Sequence, residues 1–307
     1  MLPHAPRYKN AYSSRFNNPG DNNEKNPVDH DVHPRTIDGE VQGRPGEVCF
    51  GEVSHAKVLS AMYRLALALV ILLVCTSALA GPPLSIDDPG ILDPLQLEII
   101  AAVTSTNTDS GDLLQLPLLD MSLGVIEDYL QVGVAFSHVH ARPNEGESEL
   151  DAGSTSLALK WRFVNTEKLQ MSFAPYYVFG VSRSAESRGI GDNADVAVFP
   201  VNAEHGINEK WRLNGEMSYA RVQGGEAYWH LGAAVAYAAN SRWDLLLEVA
   251  GTSDTAFGMD YVDIRAGFDA ALSESFHLLF SMASGLRQAP GEDELDLNVF
   301  LGVQYLR

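Results

Sequence analysis

From residue 95 to residue 307 the chain reads as twelve strand-like segments whose connectors alternate in kind. Residues 210–221 show the unit of the pattern. Trp211, Leu213, Gly215, Met217 and Tyr219 fall on one face of an extended chain, and Arg212, Asn214, Glu216 and Ser218 on the other. Side chains alternate faces along a strand, so one face is apolar and the other polar. A soluble sandwich produces one or two such strands. Twelve in succession, with tight turns always on one side, predict an all-β fold, a transmembrane antiparallel β-barrel.

The spacing places strands at 95–106, 115–125, 129–140, 154–164, 168–182, 194–205, 210–221, 226–238, 242–251, 258–271, 275–286 and 295–307. Residues 194–205 are the weakest case, because Pro200 removes a ladder donor and the faces are mixed. Ile126-Glu127-Asp128, Asn165-Thr166-Glu167, Asn208-Glu209, Asn240-Ser241 and Ser273-Glu274 read as tight turns. Between them lie connectors at 107–114, 141–153, 183–193, 222–225, 252–257 and 287–294, most of them longer, which read as external loops. An even strand count puts both barrel ends on the tight-turn, periplasmic side. Tyr129, Trp161, Phe163, Trp211, Tyr237, Trp243, Phe276 and Tyr305 gather near those turns and read as an interfacial aromatic girdle. The competing reading is the ordinary aromatic core of a soluble β-sandwich.

A second signal precedes the barrel. Arg64 is followed by the uncharged apolar run 65–74, then by Ala78-Leu79-Ala80, small residues at the positions a signal peptidase reads. Residues 62–80 therefore read as a signal peptide cleaved before Gly81; the run is short for a membrane helix. Cys75 raises the alternative of a lipoprotein anchor, but Val74 stands where a small residue is needed. Residues 1–61 are polar and aperiodic, and read either as an upstream stretch before a true start at Met62 or as a disordered extension. Residues 81–94 read as a periplasmic N-terminal segment. Within it, Asp87-Asp88 before Pro89-Gly90 reads as a turn initiator, with a role in lining or plugging the periplasmic mouth as the other possibility.

Residues 1–80 carry eight basic and eight acidic side chains, so the whole formal charge of −19 belongs to residues 81–307. Such acidity argues against a nucleic-acid partner. Both cysteines, Cys49 and Cys75, precede the cleavage site, which leaves no disulfide or thiolate chemistry after it. The inner face carries charges of both signs: Glu98, Lys160, Arg162, Arg212, Glu216, Arg242, Asp244, Glu248, Asp263, Arg265 and Asp269. Of these, Lys160, Arg162, Arg212, Glu216, Arg242, Glu248, Asp263 and Arg265 are the candidate pore-lining residues. Arg212, Arg242 and Arg265 form either a selectivity ladder or a brace neutralised by neighbouring acids. A twelve-stranded barrel is wider than the eight-stranded kind that side chains fill and narrower than the sixteen-stranded porins, so a narrow, partly occluded polar channel is expected.

Weaker candidates are His138 and His140, which share a strand face but lack a third ligand for a metal. The loop acids Glu145, Glu147, Glu149 and Asp151, with Glu292, Asp293 and Glu294, are either a divalent-cation cluster near lipopolysaccharide or simply solvated. No spacing marks a nucleophile with its base, and nothing points to a cofactor or to an enzyme.

One segment is more specific. Pro83-Leu84-Ser85-Ile86-Asp87-Asp88-Pro89-Gly90-Ile91-Leu92, followed by Glu98-Ile99, resembles the opening of the outer-membrane transporter family named for the meta-pathway of phenol degradation. The resemblance continues through Pro117-Leu118-Leu119, the hairpin from Leu123 to Gly133, and Ser156-Leu157-Ala158-Leu159-Lys160-Trp161-Arg162-Phe163. The chain departs from it at its end, Tyr305-Leu306-Arg307, where barrels of this class commonly finish on an aromatic residue, and at residues 199–204. The resemblance implies a Gram-negative outer-membrane barrel that is called a transporter, and its motif implies no particular substrate. The expected partners are outer-membrane lipid, lipopolysaccharide, the barrel assembly machinery and a small solute, with aromatic or organic solutes the class that the family name suggests. Without the resemblance, the residues leave three readings open: a passive channel, a non-transporting structural or surface-binding barrel, and a barrel hydrolase whose triad assembles only in space.

Overall fold

The computed structural model describes residues 83–144, 146–290 and 294–307. The signal peptide, the upstream extension, Glu145, Glu292 and Asp293 lie outside the described residues. The strands are β1 (Leu97–Thr108), β2 (Gly111–Ile126), β3 (Leu130–Pro143), β4 (Glu149–Asn165), β5 (Leu169–Phe173), β6 (Tyr176–Phe179), β7 (Val196–Gly206), β8 (Trp211–Val222), β9 (Ala227–Asn240), β10 (Trp243–Asp254), β11 (Met259–Ala271), β12 (Phe276–Gln288) and β13 (Leu295–Leu306). A single helical turn, α1 (Arg183–Glu186), sits between β6 and β7.

Every pairing is antiparallel, and the sheet closes on itself. β1 pairs with β2 on one side and with β13 on the other, with Ile99 opposite Tyr305 and Val103 opposite Leu301. β3 pairs with β4 to complete the ring. β5 and β6 both run between β4 and β7, so the thirteen segments make twelve staves. The segment expected as one strand over 168–182 is broken at Ala174-Pro175 because proline has no N–H to donate. The ladder is bridged there by Ala174 N–H donating to the Pro200 carbonyl and Leu159 N–H to the Pro175 carbonyl, both at 3.0 Å. Pro200 therefore stands opposite the break, where an irregular ladder costs least.

Alternation sorts the two faces. On β10, Trp243, Leu245, Leu247 and Val249 point outward and are exposed, while Leu246, Glu248 and Ala250 point inward and are buried. Leu247 is 51% exposed and its neighbour Glu248 is 0%. This inverts the usual rule for a protein in water, where charged groups stay out and large apolar ones go in. The inversion repeats around the ring, with Leu213 and Met217 outside Asn214 and Ser218, and Leu301 and Val303 outside Phe300 and Gln304. Only a hydrocarbon surround stabilises such an exterior, and only a closed barrel satisfies its backbone there.

Two aromatic bands flank the apolar belt. At the tight-turn end Trp211 meets Tyr237 with ring centroids 4.6 Å apart, Trp243 meets Phe268 at 5.1 Å and Phe276 meets Tyr305 at 5.0 Å. At the opposite end Tyr219 meets Trp229 at 5.0 Å, and Trp229 stacks on Phe257 at 5.8 Å. Most connectors at that end are shorter than the sequence suggests, while the one between β6 and β7 is longer, 180–195 against the expected 183–193. The expected loop 107–114 is a turn at Asp109-Ser110, because β1 and β2 extend past the belt as a polar hairpin.

Candidate functional site

The site is the lumen, and its main occupant is the chain itself. Residues 83–93 do not lie outside the barrel, as expected of a periplasmic segment, but cross its interior. The root is pinned where Leu95 N–H donates to the Gly124 carbonyl at 2.9 Å. Gly124 is required there, since a Cβ would sit 2.0 Å from the Asp93 carbonyl oxygen. Leu92 N–H then donates to Gln131 Oε1 on β3 at 3.1 Å. Asp88 closes a turn by accepting from Gly90 N–H at 2.6 Å, the turn the Asp-Pro-Gly pattern implied. Lys160 on β4 reaches Asp87 at 2.8 Å and Asp88 at 3.6 Å. So the acid pair both turns the chain and binds the wall.

Beyond the turn the segment hands its backbone donors to wall carboxylates. Asp87 N–H donates to Glu216 Oε2 on β8 at 2.9 Å. Ser85 and Ile86 N–H donate to Glu248 on β10 at 3.0 and 3.1 Å, and the Ser85 hydroxyl adds a third donor. Ser281 on β12 donates its hydroxyl to the Pro83 carbonyl at 2.7 Å. A chain without secondary structure must find partners for its polar backbone when buried, and the wall supplies them stave by stave. Leu84 and Ile86 pack on Ala234, Ala236 and Leu246. Gly232 permits the approach, because a Cβ there would lie 2.3 Å from Ile86 Cγ2.

The inward-facing charges form local groups. Arg265 sits 3.4 Å from Glu248 and donates to Asn298 Oδ1 at 2.9 Å. Arg212 donates to Asp244 at 2.7 Å and lies 3.5 Å from Glu204. His230 meets Glu216 at 3.2 Å, and His277 meets Asp269 at 2.7 Å. Arg162 is buried at the periplasmic rim against Asp128 of the tight turn, at 2.5 Å. Tyr261 donates to Asp263 at 2.6 Å, and Gln304 to Glu98 at 2.5 Å. Arg242, expected on the inner face, is instead exposed in the turn preceding β10. The strand pattern misplaced it because Arg242 is the last residue of the turn, one position before β10 begins, and a turn residue has no alternation to obey. Arg212 and Arg265 are thus separate, each held by acids, and the three arginines form no ladder.

Several inward polar atoms lack a hydrogen-bond partner within the protein, among them Asn202 Oδ1, both amide atoms of Asn214 and Asp263 Oδ1. Polar groups this buried are ordinarily satisfied by a partner or by water, and their number makes the inner face polar, unlike a dry apolar core. A cavity of about 180 Å³ remains between the segment and the wall, lined by Glu98, Asp120, Gln131, Lys160, Tyr176 and Tyr228 among others.

The external mouth is narrowed by a second element. Residues 180–195 fold over the rim, with α1 capped by Ser182, whose hydroxyl accepts from Ala185 N–H at 3.1 Å. Val181, Ala185 and Ile190 are buried against Val139, Ala141 and Leu113. Arg188 clasps Glu149, at 3.1 Å, and Asp151 on β4. Two of the expected loop acids therefore serve this clasp, and Glu147 and Glu294 are exposed. His138 and His140 lie on the outer face of β3, opposite Ala152 and Leu150. Among the described residues no three His, Cys, Asp or Glu side chains gather to hold a metal.

The sequence matches no family model and no curated protein. Solved structures do match. The COG4313 outer membrane channel from Pseudomonas putida F1 is similar with a TM-score of 0.60 at 11% identity, over 75% of this chain and all of that one. A KdgM porin in complex with disordered oligogalacturonate gives a TM-score of 0.49 at 8% identity, over 68% of this chain and 98% of that one. The Ralstonia pickettii toluene transporter TbuX gives 0.41 at 10% identity, over 70% and 90%. At these identities the likeness is one of fold. The chain is a closed twelve-stave antiparallel β-barrel of the outer-membrane type, with its lumen crossed by its own N-terminal segment.

Proposed function

We propose that the chain is a channel of the Gram-negative outer membrane that lets small solutes diffuse through without a coupled energy source. One observation carries this reading: an apolar exterior encloses a polar, charge-lined lumen that the protein does not fill. Lys160, Arg162, Arg212, Glu216, Glu248, Asp263 and Arg265 line or brace the path. The signal peptide at 62–80 delivers the chain to the periplasm, the barrel assembly machinery inserts it, and lipid with lipopolysaccharide surrounds it. Aromatic or organic solutes are the class suggested by the name of the family that residues 83–92 resemble. Segment 83–93 keeps the resting path narrow and so excludes large solutes.

Liposome swelling and planar-bilayer recording on the refolded chain test the proposal. Conductance, rising when residues 83–93 are deleted, is the expected result. A folded barrel that conducts in neither form would instead favour the non-transporting reading, which the obstruction at both ends makes the natural competitor.

A further inference from the structure

We propose that the lumen passes cations in preference to anions, and that segment 83–93 sets this preference through Asp87 and Asp88. The inference rests on the channel reading above and gives it a solute charge.

The fixed cations of the wall are already committed. Arg162 is matched by Asp128, Arg212 by Asp244 and Glu204, and Arg265 by Glu248. Carboxylates remain beyond those pairs. Glu98 accepts from Gln304 and Asp263 from Tyr261, both neutral donors, while Glu216 and Asp269 face histidines. Asp263 is 4% exposed, and its Oδ1 has no protein partner although it lies on the inward face. An inward carboxylate with no cationic partner adds negative potential along the path. A low-dielectric wall focuses such a field along the path.

Lys160 is the telling residue. It lines the cavity, and both of its salt-bridge carboxylates come from the inserted segment. Docking therefore does two things at once. It brings two negative charges into the lumen, and it neutralises a cation that would otherwise attract anions. A simple stopper would reduce flow without changing its sign. This segment changes both, so conductance and selectivity should move in opposite directions when it leaves.

The test is the reversal potential of the refolded chain in planar bilayers across a tenfold KCl gradient. The wild type should favour K⁺ over Cl⁻. Asp87→Asn with Asp88→Asn should lower the permeability ratio by roughly five-fold, the scale set by two unit charges at about 8 Å in water. Lys160→Gln should keep or raise it. Deleting residues 83–93 should raise conductance while lowering the ratio, and a heat-modifiable gel shift confirms that each variant has folded. A ratio of one or an anion preference in the wild type overturns the proposal. So does a ratio that the paired asparagine variant leaves unchanged. In both cases current still flows and the channel reading survives. Silence from the wild type and the deletion alike overturns the channel reading, and this inference falls with it.

Discussion

Two elements obstruct this barrel, and they are built on opposite physics. Segment 83–93 is held from within, by backbone N–H groups donating to buried carboxylates and by an acid pair on Lys160. Loop 180–195 is held at the rim, by a small apolar underside and by Arg188 on Glu149 and Asp151. Glu248 is fully buried, whereas the three partners of the outer clasp are each about one-third exposed. Charge pairs away from water are little screened by salt, and exposed pairs are strongly screened. The inner element, anchored at Glu248, should therefore respond to mutation of the wall more than to ionic strength, which reaches only its Lys160–Asp87 contact, where Asp87 is 37% exposed. The outer one should loosen as salt rises.

The sharpest way to break that contrast is Glu248→Ala. It removes the acceptor of Ser85 N–H, Ile86 N–H and the Ser85 hydroxyl, and it leaves Arg265 buried without its carboxylate. Removing one partner of a buried pair costs about 3–5 kcal/mol. The variant should unfold at lower denaturant from vesicles, and residues 83–93 should become open to protease while the barrel stays intact. Protection equal to the wild type would mean that the carboxylate does not anchor the segment.

Gly232→Val is the next strongest and acts by shape alone. Its Cβ would lie 2.3 Å from Ile86 Cγ2, so segment or strand must move, at a cost of about 1–3 kcal/mol. Conductance should rise and the salt dependence of gating should stay unchanged. A variant that folds and conducts like the wild type would show that Ile86 does not seat against β9.

These two positions also show what could be read from the chain and what could not. The twelve staves, the tight turns and the aromatic band beside them follow from periods of two residues, which are local. Lys160, Glu216 and Glu248 were legible as inward-facing for the same reason. The docking of Ser85 on Glu248 was not, because the partners are 163 residues apart and meet only once the ring has closed. The segment has no period at all, so Asp87-Asp88 read first as a turn, with lining or plugging the mouth only the second possibility. The aromatic band at the opposite end escaped similarly. Tyr219, Trp229 and Phe257 come from different segments and are aligned by register. Polar residues at 107–114 suggested a loop, yet they are strand that has risen out of the apolar belt, where alternation carries no hydrophobic signal.

The outer clasp is expected to matter less. Exposed ion pairs contribute about 0.2–1 kcal/mol, so Arg188→Ala should leave thermal unfolding almost unchanged. Its effect should appear as more frequent opening in single-channel records, and 1 M salt should produce the same change in the wild type. If salt alters the wild type and the Arg188→Ala variant equally, the clasp is not what salt acts upon.

The smallest effect concerns acid. Gly180 N–H donates to Asp195 Oδ1 at 2.9 Å and the Tyr177 hydroxyl to Oδ2 at 2.8 Å. Both bonds favour the ionised carboxyl and hold its pKa below the ordinary range, Gly180 more than Tyr177. A depressed folded-state pKa contributes stability above the unfolded value, and that contribution is lost as pH falls through the folded one. Asp192, in the same loop, has the opposite sign. Burial raises its pKa, with Glu186 adding to the rise, so its protonation at a higher pH relieves a cost. In an Arg188→Ala background, which removes the clasp's ion pairs, amide exchange over residues 181–194, taken relative to its intrinsic rate at each pH, should slow slightly as pH falls from 7 towards the carboxylate range. It should then accelerate below about pH 4, where an ordinary Asp titrates. Asp195→Asn should abolish the second phase and spare the first. Acceleration beginning near neutrality would show that Asp195 does not hold the base of the loop. Because segment 83–93 shares neither Asp192 nor Asp195 and is held by its own carboxylates, Asp195→Asn should leave its protection unchanged at every pH, and the two obstructions would then be independent.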